Sequence, residues 1–249
     1  MWKNLTKPVV IAHRGDSKYA PENTLGAFKQ AMDKGAQAIE FDVKLSSDRK
    51  VVVIHDQTVD RTTNGHGDIR NLTMEELKRL DAGIRFGEKF PSERIPTLEE
   101  VFQNLGTGIH MNIELTNYAT PHDGLVEEVV RLIKKFGNGD QLIFSSFFAR
   151  NLHLAKKLIP TVPCGLLAYP GLVGLPARSL GWKKDMDALH PYLRDVNMNL
   201  VKRVHDAGRR LNVWTVNLKE DLERLIKMGV DGIFTDDPFL LNQLCGKVP

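Results

Sequence analysis

Cysteine is scarce in this chain. Cys164 and Cys245 are the two among 249 residues, too few for a disulfide framework, so a reducing, cytoplasmic setting is expected and the fold must rest on its core. Long apolar runs are missing too. No window approaches the ~20 apolar residues of a membrane-spanning helix, and the opening MWKNLTKPVV has neither a long apolar core nor a cleavage site, so no signal peptide is expected. Charge of one sign is not in excess. The 34 basic and 31 acidic residues leave +3, without a dense basic tract, which argues against nucleic acid as a partner. Linkers, low-complexity tracts and internal repeats are also absent. What remains, 42% apolar and 26% charged residues, is the composition of an ordinary globular domain. The length suits a (β/α)8 barrel, which takes ~250 residues, and equally a doubly wound sheet.

Strand-like and helix-like segments alternate, the pattern of a mostly parallel sheet. Strands are predicted at 9–13, 38–43, 111–115, 141–146, 162–168, 186–189, 211–216 and 232–235. Helices are predicted at 22–34, 124–135, 199–207 and 220–228, each an apolar stripe stopped by glycine. Segment 51–54 is the exception. It follows the second strand after a short SSDRK turn, whereas a parallel crossover needs a dozen or more residues, so an antiparallel hairpin is expected. Such a hairpin returns His55 toward Glu40 and Asp42. Residues from about 57 to 96 lack sheet character and contain TTNGHGD and a Thr73–Glu76 capping box. They read as a small insertion over the mouth of a single domain spanning 1–249.

The strand ends carry the chemistry. The run VVIAHRG ends in His13, Arg14 and Gly15, IEFDV carries Glu40 and Asp42, MNIEL carries Glu114, and VVVIHD ends in His55. Side chains at i and i+2 of a strand share a face, so Glu40 and Asp42 point together. Adjacent buried carboxylates must protonate, pair with arginine or lysine in a structural network, or hold a cation between them. Three hard oxygen donors suit Mg²⁺ or Ca²⁺, with Mn²⁺ also open, better than Zn²⁺. His13 and His55 are acid–base candidates, since imidazole titrates near neutrality. His66, His110, His122, His153, His190 and His205 read as turn or helix residues without a role. Arg14 offers a fork that matches phosphate oxygens, or else an ion pair with a barrel-top acid. Gly15 either admits a ligand close to the backbone or makes a turn. Glu22 and Asn23 read as helix caps or as supports for the site. Trp214 reads either as one wall of a substrate pocket or as a core aromatic. Thr235, Asp236 and Asp237 shape the rim or form a turn.

Taken together, these motifs resemble the glycerophosphodiester phosphodiesterase family. HRG at 13–15, PENT at 21–24, EFDV at 40–43, HD at 55–56, DRTTNGHG at 60–67, EELKRLDAG at 75–83, IPTLEEV at 95–101, IEL at 113–115, VWTVN at 213–217 and DGIFTDDP at 231–238 occur in order over nearly the whole chain. The resemblance implies a (β/α)8 TIM barrel with a small insertion after the second strand and its hairpin. It implies hydrolysis of a small-molecule phosphodiester to an alcohol and glycerol 3-phosphate with a divalent metal on Glu40, Asp42 and Glu114. His13 and His55 would be the catalytic acid and base, in either order, and Arg14 the phosphate contact. The nucleophile is water or the glycerol 2-hydroxyl. Many members carry lysine two residues after the third metal ligand. Thr116 stands there in this chain, so a fixed positive charge is missing or comes from elsewhere.

The apolar, glycine- and proline-rich stretch 166–182 should lie on the catalytic face. It is either a packed lid or a lining for acyl chains with peripheral membrane contact. Competing functions are therefore a lysophospholipase D, a cyclising phospholipase of related fold, and a non-catalytic phosphodiester sensor. The sensor is disfavoured by the presence of all six key residues. The oligomeric state is left open.

Overall fold

Inward and outward residues alternate along the strands, and the two sets differ in kind. In the computed structural model, which describes residues 2–137, 139–181 and 185–247, strand β1 (Val9–His13) sends Val10 and Ala12 into the main apolar layer under the helices. Its Val9 and Ile11 join a smaller cluster inside the barrel with Trp2, Ala38, Ile143 and Phe234. On β2 (Ala38–Leu45), Ile39, Phe41 and Val43 belong to the outer layer. Glu40, Asp42 and Lys44 therefore continue the inner face from Ala38. β4 (His110–Leu115) repeats the rule, with Met111, Ile113 and Leu115 outward and Asn112 and Glu114 inward. Burying each of these large apolar side chains stabilises the fold by about 1.5–3 kcal/mol, an upper figure against an extended unfolded chain.

The remaining strands are β3 (Val51–Val53), β5 (Leu142–Ser146), β6 (Cys164–Ala168), β7 (Ala188–Pro191), β8 (Arg210–Val213) and β9 (Gly232–Thr235). β1 pairs in parallel with both β2 and β9, which closes eight parallel strands into a (β/α)8 barrel. β3 is antiparallel to β2, with Val43 opposite Val53, as the short turn requires. The Ile54 amide then donates to the Asp42 carbonyl at 3.0 Å, which sets His55 beside the end of β2.

Helices α1 (Leu25–Asp33), α3 (Leu98–Leu105), α4 (Leu125–Phe136), α5 (Ala149–Leu158), α6 (Met198–Asp206), α7 (Lys219–Met228) and α8 (Pro238–Leu244), and the short α2 (Met74–Arg79), follow the strands in chain order. Both Thr73–Glu76 at α2 and Thr97–Glu100 at α3 form capping boxes, each satisfying two otherwise orphaned backbone donors. α4 stops at Gly137, whose φ of +73° few other residues adopt cheaply. The segment from 57 to 96 has its own cluster of Val59, Ile69, Leu77 and Ile95, anchored on Val52 and Ile54 of the hairpin.

Several boundaries differ from expectation. α1 starts at Leu25 with Thr24 as its cap, later than residue 22, because Asn23 takes φ +59° and its amide donates to the Arg14 carbonyl. β8 ends at Val213, and Trp214 bridges to Tyr192. Two of the histidines assigned to turns or helices are strand residues instead. His110 opens β4 with its ring edge-on to Trp2, and His190 lies on β7, fully buried inside the barrel. Burial pushes the His190 imidazole down to about 3, so it stays neutral there. Gly15 makes a turn at φ +87°, and a Cβ on it would stand 2.7 Å from that of Ala27 on α1. Close packing on α1 thus explains this glycine.

Candidate active site

Strand register brings the acidic residues together. Asp42 lies directly across from Glu114, and His13 across from Glu40. One carboxylate oxygen from each of Glu40, Asp42 and Glu114 lies within 4.8 Å of the others. Their supports differ. Glu40 Oε2 accepts from the Arg14 amide at 3.1 Å. Asp42 Oδ2 accepts from Asn23 Nδ2 at 3.0 Å and pairs with Arg14 Nε at 3.3 Å. Glu114 Oε1 accepts from the Tyr118 hydroxyl at 2.8 Å, and that hydroxyl accepts in turn from the Phe147 amide.

One guanidinium cannot neutralise three buried carboxylates, and Arg14 is also shared with Glu22 at 3.0 Å. The electrostatics follow. Burial, then repulsion from Asp42 and Glu114, raises Glu40 well above the usual carboxylate range. Burial and Asp42 push Glu114 up to about 8. Burial opposes ionisation of Asp42 as well, but Arg14, His55 and the Asn23 hydrogen bond hold it below the usual range. A structural ion network accounts for Asp42 alone. An all-oxygen, over-negative cluster is a fitting cradle for a hard divalent cation.

Raised carboxyls make stability depend on pH. Glu40 and Glu114 keep their protons in the folded, metal-free chain at pH values where they lose them in the unfolded one. The folded state then binds more protons, so stability is full near the ordinary glutamate range and falls as pH rises toward about 8. A melting series in chelator should show a decline of about 5–10 °C across that window. Excess divalent ion should abolish or reverse the decline, because it takes the deprotonated site.

Both histidines are tied through Nδ1. His13 Nδ1 is 2.6 Å from Asp236 Oδ1, and His55 Nδ1 is 2.7 Å from Asp56 Oδ1. Against its burial, the Arg61 and His55 hydrogen bonds take Asp56 down to about 2. Asp236 is likewise lowered, burial being outweighed by His13, Asn217 and Ser17. Ionised carboxylates only accept, so Nδ1 carries the proton on each ring and Nε2 is the nitrogen left for chemistry. Arg61 also grips Glu22 through both of its terminal nitrogens, at 2.6 and 2.8 Å, linking the 57–96 segment to the rim.

A cavity of about 120 Å³ joins these groups. It is lined by His13, Arg14, Glu40, His55 and Glu114, with the rings of Phe147 and Trp214 as an apolar wall. Trp214 is also anchored, its Nε1 donating to the His190 carbonyl at 2.7 Å. The structure therefore gathers His13, His55, Arg14, Trp214, Glu40, Asp42 and Glu114 at one end of the barrel. Four neighbours make contacts that are not read from sequence, although Asp56 lies in the HD motif and Asp236 reads as a rim or turn residue. Asp56 and Asp236 orient the histidines, Tyr118 orients Glu114, and Lys44 donates to Thr116 Oγ1 at 3.0 Å. Lys44 was visible as the next inward position after Asp42, but it does not line this cavity, and its ammonium is held by Thr116. Burial lowers its ammonium from the ordinary lysine range, against the pull of Asp42 and Glu114. Tyr118 lies past the end of β4, where no periodicity points to it.

A closed parallel barrel with a carboxylate triad and two carboxylate-oriented imidazoles at its strand ends defines a barrel enzyme acting on an anionic substrate. Residues 13–240 match the model of the glycerophosphoryl diester phosphodiesterase family. A glycerophosphodiester phosphodiesterase of Caldanaerobacter subterraneus is 48% identical over 242 residues, covering 97% of this chain and 99% of that protein. An Oleispira antarctica phosphodiesterase, solved with the product sn-glycerol-3-phosphate, superposes with a TM-score of 0.82 at 34% identity, covering 95% and 96% of the two chains. The glycerophosphodiester phosphodiesterase of Thermotoga maritima gives a TM-score of 0.76 at 30% identity, covering 96% and all of that chain. The chain belongs to the glycerophosphoryl diester phosphodiesterase family and is an enzyme of that family, in agreement with the resemblance of its motifs.

Proposed function

We propose that the protein hydrolyses glycerophosphodiesters to an alcohol and glycerol 3-phosphate at this cavity. The observation that carries the proposal is the meeting of the Glu40–Asp42–Glu114 cluster with two histidines, each held on its own carboxylate. Glu40, Asp42 and Glu114 would hold one divalent cation, Mg²⁺ or Ca²⁺ first and Mn²⁺ next, which supplies charge neutralisation and polarisation of the phosphoryl oxygens. Arg14 lines the cavity and offers N–H donors to a phosphoryl oxygen. One of His13 and His55 accepts the nucleophile's proton at Nε2. The other, as an imidazolium protonated on both nitrogens, donates from Nε2 to the departing alkoxide, so the P–O bond breaks as a neutral alcohol leaves. Phe147 and Trp214 exclude water from one side and face the apolar part of the glycerol or head group. The whole chain acts as one catalytic unit, with residues 57–96 an elaboration of its mouth. Two free thiols, Cys164 and Cys245, are compatible with a cytoplasmic setting. Among the described residues, no helix is long and apolar enough to cross a membrane.

The test is a panel of glycerophosphodiesters assayed after chelation and again with Mg²⁺, Ca²⁺ or Mn²⁺. Glycerol 3-phosphate should appear only with metal. Accumulation of a cyclic phosphate would instead identify the glycerol 2-hydroxyl as nucleophile. Absence of any turnover with all three ions would leave the sensor reading.

A lysophospholipase D activity is a second reading, favoured by the loop after β6. Its turn Gly171–Gly174 leaves Leu172 85% and Val173 75% exposed. Tyr169 stacks on Phe147 at 4.2 Å, and Phe147 meets Trp214 edge-on at 5.5 Å. An apolar path thus runs from solvent to the cavity wall, and an acyl chain could follow it onto a lipid surface. Arg178 pins the loop to the Tyr169 and Gly171 carbonyls and to Asp195. The end of the 166–182 stretch, residue 182, lies outside the described residues. Turnover of glycerophosphocholine without turnover of lysophosphatidylcholine would end this reading.

A further inference from the structure

Lys44 follows Glu40 and Asp42 on the inward face of β2, and it is only 8% exposed. Its ammonium donates to the Thr116 carbonyl and to Thr116 Oγ1, both at 3.0 Å. Both acceptors are neutral. Among the described residues, no carboxylate comes within 4.0 Å of Nζ, and the third N–H has no partner. A buried cation without a counter-ion is unfavourable unless a charge partner reaches it. Asp42, Glu114, Asp56 and Asp123 act on it only from beyond ion-pair distance.

Lys44 lines a second cavity of about 150 Å³, whose lining also includes Arg49, Arg70, Thr116 and Asn117. This cavity neighbours the catalytic one, since Thr116 and Lys44 lie two residues beyond Glu114 and Asp42. Its one acid, Asp123, is already occupied by Asn117 Nδ2 at 2.9 Å, Thr120 Oγ1 at 2.7 Å and the Leu125 amide at 2.9 Å. At the exposed rim, Arg70 pairs with Asp68, and Arg49 donates to the Asp123 carbonyl. The interior of the cavity therefore presents one buried positive charge whose direct hydrogen-bond partners are neutral, beside further neutral donors.

We propose that this cavity is an anion subsite for a phosphate or carboxylate group on the departing alcohol, with Lys44 as the residue that determines specificity for it. The proposal rests on the hydrolytic reading above. The charge of the reacting phosphoryl group would be met in the catalytic cavity by Arg14 and by the cation that Glu40, Asp42 and Glu114 would hold. Lys44 is left for a second anion on the same substrate. Substrates whose alcohol carries such a group should bind better than their neutral counterparts.

A matched pair tests this. Glycerophosphoglycerol has a neutral alcohol, and bis(glycerophospho)glycerol adds a second phosphodiester to it. The wild-type chain should favour the second substrate in KM. Lys44→Gln should raise the KM for bis(glycerophospho)glycerol about tenfold and leave kcat/KM for glycerophosphoglycerol within about twofold. Lys44→Arg should keep the preference, and Arg49→Gln at the rim should weaken it, which guards against a Lys44→Gln variant that does not fold. Equal losses on both substrates would overturn the proposal, because the ammonium would then serve the phosphoryl group common to both. No loss on either would overturn it too. Calorimetric titration of the chelated protein with inorganic phosphate separates the sources of the anion. Lys44-dependent phosphate binding by a chain inactive on all diesters would retain the anion site while removing the hydrolytic reading. The same binding in an active chain that does not discriminate between the two diesters would assign the cavity to free phosphate and overturn the head-group subsite.

Discussion

Glu114→Gln is expected to lower turnover about a thousandfold, the equivalent of about 4 kcal/mol of barrier, while raising the melting temperature of the chelated protein. The two effects have one origin. Glu114 lies in a cluster with too much negative charge and is pushed up to about 8 by burial and by Asp42. Glutamine keeps the shape and still accepts from the Tyr118 hydroxyl, now 2.8 Å from Glu114 Oε1. It removes a carboxyl that the metal-free fold must keep protonated, and a charge that the proposed divalent ion would need. Relief of about 1–2 kcal/mol would raise the melting point by about 2–8 °C for a chain of this size. Metal-induced stabilisation should shrink in the same variant. Thermal melts with and without ion, beside steady-state assays, check all three. A variant that loses activity and also melts lower in chelator would mean that Glu114 is a structural residue and that the cluster is not an ion cradle.

His13→Gln and His55→Gln should each reduce kcat about a thousandfold, within the range of a lost general acid or base. They should differ in how the leaving group matters. With a p-nitrophenyl diester, whose alkoxide departs without a proton, the variant lacking the acid should recover to within about tenfold of wild type. The variant lacking the base should not recover. This assigns the two roles, which the near-symmetric Nδ1–carboxylate pairs leave equivalent. Asp236→Asn should follow His13→Gln in direction with a smaller loss, because it acts through the ring's orientation and tautomer. Recovery of both histidine variants, or of neither, would contradict a division of labour between them.

The barrel and most of the cluster were legible in the chain because they rest on local rules. Alternation along β2 puts Glu40 and Asp42 on one face whatever surrounds them, and an apolar run that ends in HRG marks a strand reaching a functional rim. The shortness of SSDRK dictates an antiparallel β3, and the register observed, Val43 opposite Val53, follows. The eight parallel strands were all located, with errors at their ends. Those errors fall where side chains are diverted. Asn23 leaves the expected helix to donate to Asp42, and Asp187 accepts from the Cys164 amide at the foot of β6 just before β7 begins.

The partners of the chemical groups were not legible, because they come from distant stretches. Asp236 is 223 residues from His13, and the DDP run containing it has an adequate local explanation as a turn and helix cap. Lys44 reads as one more charged residue until Thr116 is seen to hold its ammonium. Nor did the sequence show that Leu172 and Val173 are exposed on a loop whose Tyr169 and Gly171 carbonyls accept from Arg178. Sequence by itself determined the alternation, the turn lengths, the residue types at the strand ends and so the class of chemistry, since these depend on neighbours along the chain. Only tertiary structure decided which carboxylate orients which imidazole, how far each acid's ionisation is displaced and where a buried ammonium is held by neutral partners alone. Those depend on distances and burial set by closing the sheet, which brings β9 beside β1 and β4 beside β2.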